Sequence, residues 1–571
     1  MVGPWADVDR ASDSYWEASR LSGMQDLRWC GALAFVSLVI RWVTLYQTRV
    51  ISNDGPTFIR IAQDIVAGNW MEAFAQPQHP GYPILMAGGH VLLGDLFVSG
   101  QWISLIGGSL AVVALYCFLV QAWNRRIAVV GALLLALNPY AARLSADVQT
   151  DAVYLFLFLS SIALLYAALR ERREAWSFGV GLLSGLAYWV RPEGVGVILL
   201  GVVFAGVAWL RGGWATGRVL TWVLALLVGA VSMMAPYLFA LARVTQSFTF
   251  SQKKSVPLML GLVGPDGPNQ GGLDLSEQFG IEEWVGVGLA VALILVLILF
   301  WLRRIIQLAR VRIGPVALFS LVLACLILLL VLVPSAVGVL AAAFVSTLRP
   351  EILLLVFIGV VSRSSRDPSA RTFFVLMVLG FYGLVLLGLF LSYGYVVRRY
   401  VLPPVALLLG YASAGAWVLI GRLEQGLVGR GFSSRRAAWG AVVVVLAIVV
   451  LIALPKTWRN HRSEQMAARR AAEWIGAQAT GPGRLASSRF KYAWYAQREW
   501  WPLVIAGEDL SAAALYKGGV RWILIESYDP EEEIGQEFLS SPAHTFEVLE
   551  RYRVHQGLTR AVVWELSPIR G

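Results

Sequence analysis

Apolar residues run along most of this chain in blocks close to the ~20 residues that a helix needs to cross a bilayer, and arginine-bearing polar stretches separate the blocks. By that measure spans are predicted near 29–48, 98–120, 127–140, 148–169, 176–190, 195–210, 219–241, 284–302, 315–333, 337–361, 372–392, 400–420 and 438–455, about thirteen in all. The ninth and tenth run together from 315 to 361, with Pro334 and Gly338 marking the break. Beyond 455 the pattern changes. Residues 462–479 have the spacing of an amphipathic helix, Gly481-Pro482-Gly483 reads as a turn, and Arg521-Trp522-Ile523-Leu524-Ile525-Glu526 reads as a buried strand ending before a turn at Asp529-Pro530. Helix and strand patterns in alternation predict a small α/β domain. The chain thus divides into a leader (1–28), a helical membrane domain (29–455) and a C-terminal α/β domain (456–571).

Composition supports this division. Of 571 residues 57% are hydrophobic and 15% charged, and the mean hydropathy is +0.65. Soluble domains lie nearer 45–50% apolar, so the chain is an integral membrane protein. Its 23 Trp and 19 Tyr suit the head-group belts as well as ordinary packing. The formal charge of +11 comes from short clusters between apolar blocks, with no nucleic-acid-binding signature. Cys30, Cys117 and Cys325 lack the spacing of a disulfide framework or a zinc site. The run 29–48 has no small-residue cleavage site and reads as a retained helix, not a signal peptide.

The basic loops test the topology, because cytoplasmic loops carry the excess of Lys and Arg. With the N-terminus in the cytoplasm, Arg125 and Arg126, Arg170, Arg172 and Arg173, Arg303 and Arg304, Arg363 and Arg366, and Arg435 and Arg436 all fall inside. The longer outside segments before the tail hold fewer basic residues. An odd number of spans then puts the C-terminal domain outside the cytoplasm.

That topology brings the candidate chemistry to one side. Asp54, in Ser52-Asn53-Asp54-Gly55, lies about five residues past the first span, near lipid-phosphate depth. Asp147 and Asp151 lie at the next outside turn, four apart, a spacing that shares one helix face. Turn formation by Asp54 and helix capping by Asp147 are the structural alternatives. Arg191 and Glu193, Lys253 and Lys254, and Arg398, Arg399 and Tyr400 fall on the same side, where cations bind phosphate or snorkel to lipid head groups.

Five short motifs in this order carry a family resemblance: Ser52-Asn53-Asp54-Gly55, His79-Pro80-Gly81-Tyr82-Pro83, Ala146-Asp147-Val148-Gln149-Thr150-Asp151-Ala152, Arg191-Pro192-Glu193-Gly194 and Arg399-Tyr400-Val401-Leu402-Pro403. Over residues 29–455 the chain resembles the polytopic glycosyltransferases of the GT-C fold, the bacterial relatives of protein mannosyltransferases and aminoarabinose transferases. The resemblance implies transfer of a sugar from a polyprenyl-phosphate donor to a glycan, lipid or protein acceptor on the outer face of the cell membrane, with inversion. Asp54 matches the family's catalytic acidic residue and would act as general base. Asp151 matches the second acidic position, with Asp147 next. His79, Tyr82, Arg191, Glu193, Lys253, Lys254, Arg398, Arg399 and Tyr400 are the implied substrate contacts. Metal use varies within the fold; Asp54 and Asp151 would be the ligands of a divalent ion. A secondary transporter, a lipid-linked glycan polymerase or ligase, and an inactive scaffold are the competing classes. A transporter site would lie nearer the midplane.

Overall fold

The computed structural model describes residues 23–210, 212–246, 249–252, 334–362, 370–393, 395–478, 483–503, 512–527, 546–556 and 559–568. The spans expected at 284–302 and 315–333, and the pair Lys253 and Lys254, lie outside the described residues. Eight described helices are long and apolar enough to cross a membrane, or nine if one bent pair counts as a single span.

The helices are numbered here in order among the described residues. After α1 (Gly23–Gln47), the expected first outside loop contains three helices, α2 (Gly55–Val66), α3 (Trp70–Phe74) and α4 (Gly81–Leu93). Then come α5 (Leu96–Ala122), α6 (Arg125–Leu137), α7 (Pro139–Leu144), α8 (Asp151–Glu171), α9 (Glu174–Val190), α10 (Val195–Leu210) and α11 (Thr216–Thr245). The apolar stretch expected as one span at 337–361 is instead α12 (Pro334–Leu348) and α13 (Pro350–Val361), bent by 94°. The break has a local cause: Pro350 supplies no amide to the preceding turn and disfavours helical backbone at Arg349, which sits at φ +77°. Helices α14 (Ala370–Tyr393), α15 (Arg398–Gly429) and α16 (Ser434–Thr457) complete the described membrane part.

Charged groups gather at the two ends of this bundle. At one end Asp26 is buried, paired with Arg125 at 2.8 Å and accepting from the Tyr116 hydroxyl at 2.6 Å, while Arg371 covers the Trp123 ring at 4.9 Å. At the other end lie Asp54, Asp151, Arg191 and Arg399.

The longest described helix of the C-terminal region is α17 (Met466–Ala477), where an amphipathic helix is expected over 462–479. Its buried face is mostly alanine: Ala467, Ala468, Ala471 and Ala472, with Ile475. Side chains this small let the helix lie close against a five-stranded mixed sheet of order β2-β1-β3-β5-β4. The strands are β1 (Arg484–Ser487), β2 (Trp500–Pro502), β3 (Val520–Ser527), β4 (Phe546–Gln556) and β5 (Thr559–Pro568), with α18 (Phe490–Tyr495) and α19 (Ala512–Lys517) between them. Strand β1 pairs in parallel with β2 and β3, and β3 and β4 pair antiparallel with β5. The strand expected at 521–526 is the middle of this sheet.

Candidate active site

The residue before a helix usually turns its carboxylate onto the first free amides. Asp54 holds that position ahead of α2, with Pro56 in the first turn, yet its side chain makes no capping bond. Its Oδ2 accepts instead from Nη1 of Arg399 at 2.7 Å, across 345 residues of sequence. The structure therefore separates the two readings of Asp54: the turn is there, but the carboxylate does not serve it.

Asp54 opens into a cleft that Gln78, His79, Thr150, Arg191, Glu193, Arg399 and Tyr400 also line. Arg191 is one of these, placed where α9 ends in extended backbone and a short 3₁₀ turn, Pro192–Gly194, begins. Gly194 is needed in that turn, since a Cβ there would lie 2.3 Å from the Tyr188 amide nitrogen. The Arg191 guanidinium donates to Asp151 Oδ1 at 2.5 Å, lies 3.4 Å from Glu193, and faces the rings of Tyr154 and Tyr400 at 5.3 and 5.0 Å. Burial opposes its charge, but Asp151 and then Glu193 hold its pKa well above the usual value. Asp151 is 3% exposed and begins α8, where a negative charge also suits the helix dipole. Its Oδ2 is buried and has no hydrogen-bond partner among the described residues.

Other expected contacts are placed differently. Asp147 is four residues from Asp151, but α8 begins only at Asp151, so the spacing creates no shared helical face. Asp147 is 2% exposed; its Oδ1 accepts from the amides of Ser52 and Val148 at 3.2 and 2.8 Å, and its Oδ2 from Arg462 at 2.5 Å. Tyr82 is fully buried, its hydroxyl held by Gly100 O and Ser104 Oγ at 2.8 Å each, and it is not part of the cleft lining. His79 lines the cleft, but Nδ1 lies 2.7 Å from the Tyr188 carbonyl and Nε2 3.1 Å from Ser251 Oγ. Gly81 allows this approach, because a Cβ there would meet the Trp189 carbonyl at 2.6 Å. Arg398 is exposed and lies outside the cleft lining, while its neighbour Arg399 lies inside it.

The donor set bears on a metal. Asp54 and Asp151 are each held by an arginine, and among the described residues no three metal-ligating side chains come together. Two guanidinium groups beside these carboxylates repel a divalent cation and suit an anion. Sequence reasoning missed Tyr154 and Arg462. Tyr154 had a signal, lying three residues after Asp151 and hence on the same helix face. Arg462 had none.

Residues 76–239 match the family model described as dolichyl-phosphate-mannose-protein mannosyltransferase. No curated protein matches the chain in sequence. Among solved structures, an oligosaccharyltransferase AglB from Archaeoglobus fulgidus, in complex with an inhibitory peptide and a dolichol-phosphate, aligns at 13% identity with TM-score 0.52, covering 88% of this chain and 69% of its own. ArnT from Cupriavidus metallidurans, bound to undecaprenyl phosphate, aligns at 13% identity with TM-score 0.51, covering 94% of this chain and 98% of its own. At such identities the likeness is one of fold. The chain is thus a multi-pass membrane protein of the GT-C fold, with the sequence signature of the dolichyl-phosphate-mannose-protein mannosyltransferase family in residues 76–239.

Proposed function

We propose that this protein is an inverting glycosyltransferase that moves a sugar from a polyprenyl-phosphate donor to an acceptor hydroxyl at the outer face of the cell membrane. The observation that carries this reading is the cleft itself, where the non-capping carboxylate of Asp54 meets Arg399 and shares the lining with Arg191. The family match and the lipid phosphates bound by the two structural neighbours support the donor class. The arginine-rich loops support the sidedness, with the N-terminus in the cytoplasm and the C-terminal region outside.

In this reading Asp54 takes the proton of the acceptor hydroxyl while its oxygen attacks the anomeric carbon. The bond from that carbon to the phosphate oxygen breaks on the opposite face, and its electron pair stays on the phosphate. One carboxylate across the ring from a charged leaving group suffices for such a displacement, and the leaving group needs no acid. It does need positive charge. Arg399 exchanges Asp54 for the donor phosphate, stabilising the leaving group and freeing the carboxylate for the acceptor. Arg191, anchored by Asp151 and Glu193, sets the shape of the wall; the guanidinium groups take the place a metal would fill.

The test is turnover by the purified protein with a polyprenyl-phosphate sugar pool, read as release of polyprenyl phosphate by mass spectrometry. Asp54→Asn should lower it by about 100-fold or more, the usual worth of a positioned base, while the protein elutes as a folded monodisperse species. Full activity in that variant would remove Asp54 from the base role.

A further inference from the structure

The seven residues between α1 and α2 carry the Asp54 loop, and nothing in their sequence gives them regular structure. Their backbone is nevertheless held along its length by the C-terminal region. The carbonyl of Gln47 accepts from the His461 amide at 3.0 Å, and Thr48 bridges His461. The carbonyl of Arg49 accepts from Arg469, that of Val50 accepts from Arg462 Nη1 at 2.6 Å, and the amide of Ile51 donates to the Tyr495 hydroxyl at 2.9 Å. Asp147 takes the next amide, that of Ser52, and is itself held by Arg462 at 2.5 Å. The Ser52 hydroxyl donates to the Val148 carbonyl at 3.1 Å and accepts from the Gly55 amide at 3.0 Å, closing the turn around Asp54.

We infer that Arg462 is a positioning residue: through Val50 and Asp147 it fixes the Asp54 loop, so that the C-terminal region completes the active site. One guanidinium nitrogen reaches both the loop backbone and the carboxylate that grips the adjacent amide, so its loss releases two holds at once. Asp147, which resembles a second catalytic acid in sequence, is the intermediate of this clamp. Its carboxylate is 3% exposed and takes no part in the cleft lining. A loop with no secondary structure of its own depends on such side-chain partners to order its backbone. A displacement of about 1 Å at a reacting group can cost on the order of 100-fold in rate.

The inference rests on the base reading of Asp54 for its activity readout but not for its structural one. Hydrogen exchange in the detergent-purified protein should show the amides of Ile51, Ser52 and Gly55 losing protection in Arg462→Met, with α8 unchanged. In turnover assays Arg462→Met should lower kcat on the order of 100-fold with little change in donor KM, as expected when only transition-state geometry is lost. Arg462→Lys, which can keep one of the two bonds, should recover part of that loss. Tyr495→Phe removes a single hydroxyl with little risk to folding, and should raise exchange at Ile51 and lower kcat to a smaller degree. Unchanged exchange at 51–55 in both Arg462→Met and Tyr495→Phe would overturn the clamp, whatever the activity. Released amides with wild-type kcat would overturn the positioning role. If Asp54→Asn keeps wild-type turnover while the clamp variants release these amides, the base assignment fails and the clamp stands.

Discussion

Among the described residues Arg191 has two buried carboxylates as partners, while Asp151 has one cation at bonding distance, and this asymmetry makes a quantitative prediction. Arg191→Leu takes the guanidinium away from Asp151 and Glu193, whose side chains are 3% and 9% exposed. Removing one partner of a buried ion pair costs about 3–5 kcal/mol, and here the two carboxylates left behind also repel each other, which points to the upper part of that range. Asp151→Leu leaves Arg191 still 3.4 Å from Glu193 and facing two tyrosine rings. Its cost should be nearer the penalty of a partly unsatisfied buried group, about 1–3 kcal/mol. The double variant removes the Asp151 charge together with the guanidinium and should be more stable than Arg191→Leu alone. Unfolding in detergent is governed by rates, so the assay is the temperature of half-loss of the monodisperse peak after brief heating. The expected order is wild type above Asp151→Leu above Arg191→Leu, with the double variant above Arg191→Leu. If Asp151→Leu is the more damaging single change, or if the double variant gains nothing over Arg191→Leu, the arginine is not the hub of this cluster.

Arg399→Lys should raise the KM for a polyprenyl-phosphate donor and lower kcat, because an ammonium is a point charge and loses the planar fork that holds a phosphate by two bonds; donor titration checks this, and unchanged kinetics would remove Arg399 from phosphate binding. Near the clamp, burial and then Arg143 push the His461 imidazole down to about 4 from an ordinary value of 6.5. Between those values the unfolded chain binds a proton that the folded chain refuses, so stability rises with pH from about 4 to 6.5 and is lost as pH falls through that window, by at most about 3 kcal/mol. Heat inactivation at pH 7 and pH 4.5 should show the loss, and His461→Gln should reduce it; an equal acid loss in that variant would assign it to other groups.

What the sequence made legible was local. Asp54 could be picked out because it stands five residues past an apolar run, and the sidedness of Asp151, Arg191 and Arg399 followed from counting spans. The turn Arg191-Pro192-Glu193-Gly194 announces itself, since proline and glycine leave few other backbones. Where a pattern depended on element boundaries it misled: the four-residue spacing of Asp147 and Asp151 meant a shared face only if the helix began early, and it begins at Asp151. The break at Arg349-Pro350 had its signal in the proline, but the flanking apolar residues made a single span look continuous. The resemblance makes Tyr82 a substrate contact, yet its hydroxyl satisfies groups of the neighbouring helix α5. Arg462 lies 315 residues from Asp147, and no periodicity or motif connects positions so far apart.

The resting geometry also bears on how such a site avoids wasteful chemistry. A polyprenyl-phosphate sugar is open to attack by water as well as by an acceptor, and a carboxylate always ready to take a proton would serve both. Asp54 is held by Arg399 at 2.7 Å, and in the proposed reaction the donor phosphate competes for the same guanidinium. Arg399 cannot turn wholly to a phosphate and keep this bond, so donor binding and release of the base become one event. The place of the carboxylate then rests on its backbone, held through the turn that Ser52 closes and the contacts that Arg462 makes to Val50 and Asp147. The two arginines therefore have separable duties in the proposed reaction, Arg399 acting on charge and Arg462 on place. Substituting Arg399 should change the dependence of rate on donor concentration, whereas substituting Arg462 should lower the rate at saturating donor.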